Sequence, residues 1–284
     1  MLCFSYLYNI VCVFRPVKGN LAHTARSTHR LGEKGGDAMP MLFLSPSTQY
    51  YNEYVTTGNE RYWMNRIADA MEPYLTASGI NFTRNNPEGN ASMSIRMSNA
   101  GSNDFHLALH SNAVDGELAG KLRGTDVYYY PGSIDAKRMA DLIVAELREI
   151  YPLPDKVQAR ESTSIGELRL VRVPSVLVET AYHDNPDDAN WITSNVDSIA
   201  VQLVKAVTQY FGLPFLPPSS EQPAKVVVRS GYLNLRNGPS TLFAPIMQLP
   251  NGADVTILNQ ADGWYVVRYG DTVGYADGRY ITPV

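Results

Sequence analysis

Cysteine is nearly missing from this sequence: Cys3 and Cys12 are the only two, and none follows residue 12. A disulfide framework and a cysteine-based zinc centre are therefore excluded from the rest of the chain, and any metal site there must use His, Asp or Glu. Histidine is scarce too, with five in all and none between Met41 and Phe105. No stripe of Lys and Arg is present, and the net charge of −4 with a pI near 5.7 argues against a nucleic-acid partner. No apolar run is long enough to cross a bilayer. Leu2 to Phe14 is mostly apolar but too short to span. It lacks a positive charge before it and a small-residue cleavage site after it. Residues 15–40 are polar, Gly-rich and basic without periodicity. Residues 1–38 are thus expected to be a leader or unstructured stretch outside the mature folded protein, with a true export or anchor segment as the alternative.

What remains is 44% hydrophobic and 18% charged, an ordinary globular composition. The length suggests one or two domains. From residue 41 apolar strands alternate with amphipathic helices. Met41–Ser45 reads as a buried parallel strand. A helix follows the loop that ends at Asn59, with Met64, Ile67, Ala68, Met71 and Leu75 on one face and Gly79 as its stop. Ile80–Arg84 is the next strand and Ser92–Ala100 a weaker helix. Asp104–His110 is a central strand that sends His106, Ala108 and His110 to one face. Thr125–Tyr130 and Ser175–Glu179 are strands; Ile134–Ile150 and Asn195–Tyr210 are helices, the last closed by Gly212. This pattern predicts a three-layer α/β domain over residues 39–212. The Pro- and Ser-rich residues 213–224 read as a semi-rigid linker. Residues 225–284 hold short strands and Gly-centred turns, as in a small all-β barrel.

Three residues stand out. His110 ends a buried strand, where ligands usually bind in an open α/β sheet. Glu179 follows three apolar residues, Val176, Leu177 and Val178, and such a carboxylate must be partnered, bind metal or carry a raised pKa. Glu60 opens the first helix, where the helix dipole alone is enough to explain an acidic residue. Each has an ordinary structural explanation. Together they converge on one rim of one sheet, and His plus carboxylate with an open position is the pattern of a hydrolytic zinc site.

The segments Leu109-His-Ser-Asn-Ala113 and Pro174-Ser-Val-Leu-Val-Glu-Thr-Ala-Tyr-His-Asp-Asn185 resemble the zinc-dependent N-acetylmuramoyl-L-alanine amidases, and Arg84 resembles the same family's T-R motif. The resemblance spans about residues 41–211. It implies an amidase-like fold with a mixed, mostly parallel sheet, a Zn2+ cofactor, Glu60 and His110 as metal ligands, Glu179 as catalytic Glu, and Asn112 as a loop-shaping or substrate-binding residue. One departure concerns the loop after the first strand, where the family carries another histidine. Here it reads Ser45-Pro-Ser-Thr-Gln-Tyr-Tyr-Asn52, resembling a variant S-P-S-x-Q branch. Gln49, Tyr51, Asn52 and the more distant His183 are the candidates for the third position.

Gly231-Tyr-Leu-Asn-Leu-Arg-Asn-Gly-Pro239 resembles the signature of bacterial SH3 domains, which implies wall binding. Trp264, Tyr265, Tyr269 and Tyr275 are candidates for a stacking surface or for the barrel core. The combined expectation is hydrolysis of the bond between N-acetylmuramic acid and L-alanine in peptidoglycan, by an extracellular or cell-wall-associated protein whose oligomeric state the sequence does not state. A catalytically inactive wall binder and a different zinc hydrolase, such as a carboxypeptidase, are the alternatives.

Overall fold

The computed structural model describes residues 40–284, so the expectations for residues 1–38 lie outside the described residues. The α/β part runs β1 (Met41–Pro46), α1 (Glu60–Ala77), β2 (Asn81–Arg84), α2 (Ala91–Ala100), β3 (Phe105–Asn112), β4 (Thr125–Tyr129), α3 (Ile134–Arg148), β5 (Val157–Glu161), α4 (Gly166–Arg169), β6 (Ser175–Tyr182), α5 (Pro186–Ser194) and α6 (Val196–Phe211). Its sheet has the order β2-β1-β3-β6-β4-β5. All pairings are parallel except β4 against β6, so the mixed, mostly parallel expectation holds.

The alternation in β3 sorts the layers. Phe105, Leu107 and Leu109 join the core with Met64, Ile67 and Met71 of α1, Met139 and Ile143 of α3, and Leu203 and Val207 of α6. On the opposite face, Ala108 and Leu177 meet Ile165 and Leu168, around α4. His106 lies on that second face, stacked on Phe43 at 5.2 Å. Residues expected on one side of the strand therefore do share a side.

Helix α1 begins where it does because Asn59 caps it: the side-chain oxygen accepts the Tyr62 backbone N–H at 2.9 Å. That cap sets Glu60 in the first turn, above the ends of β1 and β3. The short elements β5, α4 and α5 were not expected. β5 is a strand with one buried residue, Val157, and little apolar signal. Helix α4 has four residues. Helix α5 is short and is set by its own Asn185 cap and Pro186 start.

The C-terminal part folds as β7 (Gln222–Val226), β8 (Tyr232–Arg236), β9 (Pro245–Pro250), β10 (Asp254–Ala261), β11 (Trp264–Tyr269), β12 (Thr272–Asp277) and β13 (Ile281–Pro283), in the order β13-β7-β10-β11-β12-β8-β9. Val226, Leu235, Leu249, Ile257, Val267 and Ala276 fill it. The β10–β11 hairpin turns on Asp262 and Gly263, both at positive φ (48° and 82°), as a two-residue hairpin of this twist requires.

The barrel is packed onto the α/β part. Tyr275, fully buried, donates its hydroxyl to the Ser78 carbonyl at 2.8 Å just past α1. Asn81 bonds the backbone of Val273 in both directions, at 3.0 and 3.3 Å. Gly79, at φ +71°, leaves room for the Tyr275 ring: a Cβ there would lie 2.5 Å from its Cε2. The connecting residues are tied down as well, with Phe215 stacked on Tyr74 and Asn259 donating to the Pro217 carbonyl.

Candidate active site

The rim of the sheet at the C-terminal ends of β1, β3 and β6 gathers the expected residues. His110 and Glu179 are direct register partners on neighbouring parallel strands. Glu60 reaches them from the start of α1, and its Oε1 lies 2.8 Å from His110 Nδ1. Its second oxygen, Oε2, accepts from Asn52 Nδ2 at 2.6 Å. All three site residues are buried.

A residue that sequence reasoning missed completes the arrangement. Glu167, on α4, accepts from the Ser45 hydroxyl at 2.6 Å, and its carboxylate meets the Nε2 atoms of both His106 (3.1 Å) and His110 (3.3 Å). His106 is held from its other nitrogen by the Ser98 hydroxyl at 3.0 Å. A buried chain thus runs Ser98–His106–Glu167–His110–Glu60. The one sequence signal for it was the shared face of His106 and His110, which required something on α4 to satisfy two buried imidazoles.

The electrostatics follow from this chain. Burial pushes the Glu60 carboxyl up, but the bond and charge of His110, with His183 and Asn52, hold it below the usual range. Burial pushes Glu167 up as well, and the two histidines outweigh it, leaving it well below the usual range. Burial disfavours a charged His110, yet the two carboxylates that bracket it raise its pKa well above the ordinary value. Glu179 is different. Burial pushes it up to about 8, helped by the charges of Glu60 and Asp126 and opposed by His110. Its Oε2 is buried with no hydrogen-bond partner among the described residues. A carboxyl of this kind is suited to exchanging a proton near neutral pH.

The other candidates fall outside this centre. His183 is buried, but its Nδ1 faces the Ser111 hydroxyl and carbonyl, both at 3.0 Å, and its ring stacks on Tyr54 at 5.2 Å; burial lowers its pKa. Asn112 turns to its own loop, accepting the Ala113 N–H at 2.9 Å. Arg84 ties the end of the edge strand β2 to α1 through Glu72 (2.7 Å) and Asp69. Tyr51 is exposed and donates its hydroxyl to Gln49 Oε1 at 3.2 Å, while Gln49 itself approaches His110 Nδ1 with its amide at 3.3 Å. A cleft of about 280 Å³ opens beside His110, between the Ser45–Tyr51 loop and the start of α2.

Comparison with known proteins places this geometry. The family described as N-acetylmuramoyl-L-alanine amidase matches residues 50–209, more than half of the chain. The chain belongs to that amidase family. The bacterial SH3 domain family matches residues 231–282. Among solved structures, N-acetylmuramoyl-L-alanine amidase AmiC2 of Nostoc punctiforme has the same fold, with a TM-score of 0.54 at 16% identity over 62% of this chain and 99% of that one. Amidase Ami1 of Mycobacterium smegmatis gives 0.52 at 18% identity, covering 61% and 97%. A protein described as a probable cell wall amidase, LytH of Staphylococcus saprophyticus, is 27% identical over 110 residues, which is 38% of this chain and 35% of that protein. The match thus spans about a third of that relative. The fold expectation, an amidase-like α/β domain with an SH3-like barrel, holds.

In the barrel of this family member, Tyr275 is removed from the candidate stacking surface, because it is buried against the end of α1. Trp264 stays at the edge of a groove of about 840 Å³ that Tyr232, Arg229, Arg279 and Tyr280 also line.

Proposed function

We propose that this chain hydrolyses the amide bond between the lactyl group of N-acetylmuramic acid and L-alanine in peptidoglycan, outside the cell or at the wall, with the SH3 domain holding the wall. The observation that carries this reading is the meeting of Glu60, His110 and the unpartnered Glu179 on one rim. Among the described residues no group of three His, Cys, Asp or Glu is assembled for a metal. The donors present nonetheless fit zinc. An imidazole nitrogen and a carboxylate oxygen face each other at 2.8 Å, and a third carboxyl oxygen beside them is buried without a partner.

Glu60 Oε1 and His110 Nδ1 would hold the ion. The chemistry supplied by bound zinc is that of a Lewis acid, which acidifies water and polarises the scissile carbonyl. Glu179 takes the proton of the attacking water on its carboxylate and returns it to the departing nitrogen of L-alanine. Glu167 engages Nε2 of His110 and so leaves Nδ1 turned towards Glu60. Asn52 keeps Glu60 from rotating away. Asn112 shapes the turn after His110 by accepting the Ala113 N–H.

Purified peptidoglycan incubated with the protein, with and without chelator, tests this. New N-terminal alanine that appears only when metal is present is the expected result; none under any metal condition sinks it. The loop Ser45–Asn52, which has no histidine, favours a second reading, a catalytically inactive wall binder. That protein would bind peptidoglycan, release no alanine and retain no zinc after purification.

A further inference from the structure

Catalytic zinc sites take three protein ligands and keep one position for water. Glu60 and His110 provide two. We infer that Gln49 is the third protein ligand, through its side-chain carbonyl oxygen. The inference rests on the zinc reading above and extends it.

The argument begins at His110 Nδ1. Two groups meet that nitrogen: Glu60 Oε1 at 2.8 Å and the Gln49 amide, whose Nε2 lies at 3.3 Å. Three side chains from β1's following loop, α1 and β3 therefore converge on one point. Gln49 is held there before any ion arrives. Its backbone N–H donates to Ser47 Oγ at 3.2 Å, and its carbonyl accepts the Arg61 N–H at 3.3 Å. Its Oε1 accepts from Asn52 Nδ2 at 3.1 Å and from the Tyr51 hydroxyl at 3.2 Å.

The last torsion of a glutamine is broad and roughly two-fold. A half-turn about it exchanges oxygen for nitrogen at His110. Nε2 then donates to the Tyr51 hydroxyl, which can accept as well as donate. Asn52 keeps its shorter bond to Glu60, at 2.6 Å. The turn costs Asn52 its longer bond, the one at 3.1 Å to Gln49 Oε1, which the ion at Oε1 has to outweigh.

His183, another of the candidates from the sequence, is engaged with Ser111 through Nδ1. The resulting set is one nitrogen and two oxygens, harder than a set with two imidazoles, so it binds zinc less tightly.

The full chain, stripped of metal, is titrated with zinc against a chromophoric chelator, as wild type and as Gln49→Leu, Gln49→Glu and Gln49→His. Gln49→Leu is expected to lose about tenfold or more in zinc affinity, the least that an inner donor contributes when outer partners alone contribute about 10–100-fold. Gln49→Glu, with the same shape and a charged oxygen donor, keeps or exceeds wild-type affinity, and Gln49→His gains about tenfold or more. With cobalt in place of zinc, the visible spectrum of Gln49→Leu shifts from that of wild type, because a donor has left the ion, which a loop-stabilising role would not cause. Equal affinity of Gln49→Leu and wild type overturns the inference and leaves the amidase reading standing. A wild-type chain that binds no zinc overturns the inference together with the zinc reading.

Discussion

Replacing Glu179 with glutamine should make the metal-free protein more stable at neutral pH. In the folded chain burial pushes the Glu179 carboxyl from an ordinary 4.5 up to about 8. Between those values the native state keeps a proton that the unfolded chain has released. Stability from this group is then fully present below about pH 4.5 and is lost as pH rises towards 8. Each pH unit corresponds to about 1.4 kcal/mol, so at pH 7 the native state carries a penalty of about 3 kcal/mol. The amide in Glu179→Gln keeps the volume and cannot ionise, which relieves the penalty. For a protein of this size, that is a rise of roughly 6–12 °C in melting temperature at pH 7. At pH 5 the two proteins should melt nearly together. His183, whose pKa is lowered, is present in both proteins and drops out of the difference, whereas His110, whose charge opposes the Glu179 shift, cancels only in part. The assay is thermal unfolding of both chains in chelator, followed by circular dichroism from about pH 5 to 8. Parallel curves would refute the reasoning, because they would mean that Glu179 is ionised and solvated at no cost. Added zinc should shrink the gap, since a cation beside Glu179 favours its ionised form.

Glu167→Gln should lower zinc affinity by about 10–100-fold in chelator competition, by freeing Nε2 of His110, with partial recovery in Glu167→Asp. Equal affinity in all three proteins would deny Glu167 a positioning role. Asn59→Ala removes the cap of α1 and should cost about 1 kcal/mol in urea denaturation. Because Glu60 is the next residue, the variant's release of alanine from peptidoglycan should fall more than that loss of stability explains. Gly79→Ala forces a Cβ against Tyr275 at a positive φ. It should destabilise the chain by about 1–3 kcal/mol and speed proteolysis within residues 213–221, with the wild-type digestion rate as the refuting outcome.

Much of the site was legible because buried strands announce themselves. Apolar runs in β1 and β6 and the alternation in β3 placed the sheet, and polar residues at the ends of β3 and β6, His110 and Glu179, were therefore at its rim. Glu60 was legible through its place at the opening of the first helix. Glu167 was not. It sits in a four-residue helix without periodicity, and its partners Ser45, His106 and His110 are 57 to 122 positions away. Nothing local marks a carboxylate whose neighbours are brought by the sheet. Tyr275 was ambiguous for a similar reason: a barrel strand shows which residues alternate, not that the outer face is covered by another part of the chain. The reverse strand direction of β4 and β5 was equally silent, since loop length and composition serve either pairing.

The contact of Tyr275 and Asn81 with the end of α1 has a consequence for how such a molecule would travel on its substrate. A binding module on a loose tether lets its enzyme sweep a sphere of targets around each anchor point. Here the two parts are fastened by Ser78, Gly79, Asn81 and the stacked Phe215, so the reach is a fixed offset, like the span of a caliper. On the proposed function, once the barrel grips a strand of wall, only bonds at that spacing and orientation would come under Glu179, and the next cut would require letting go.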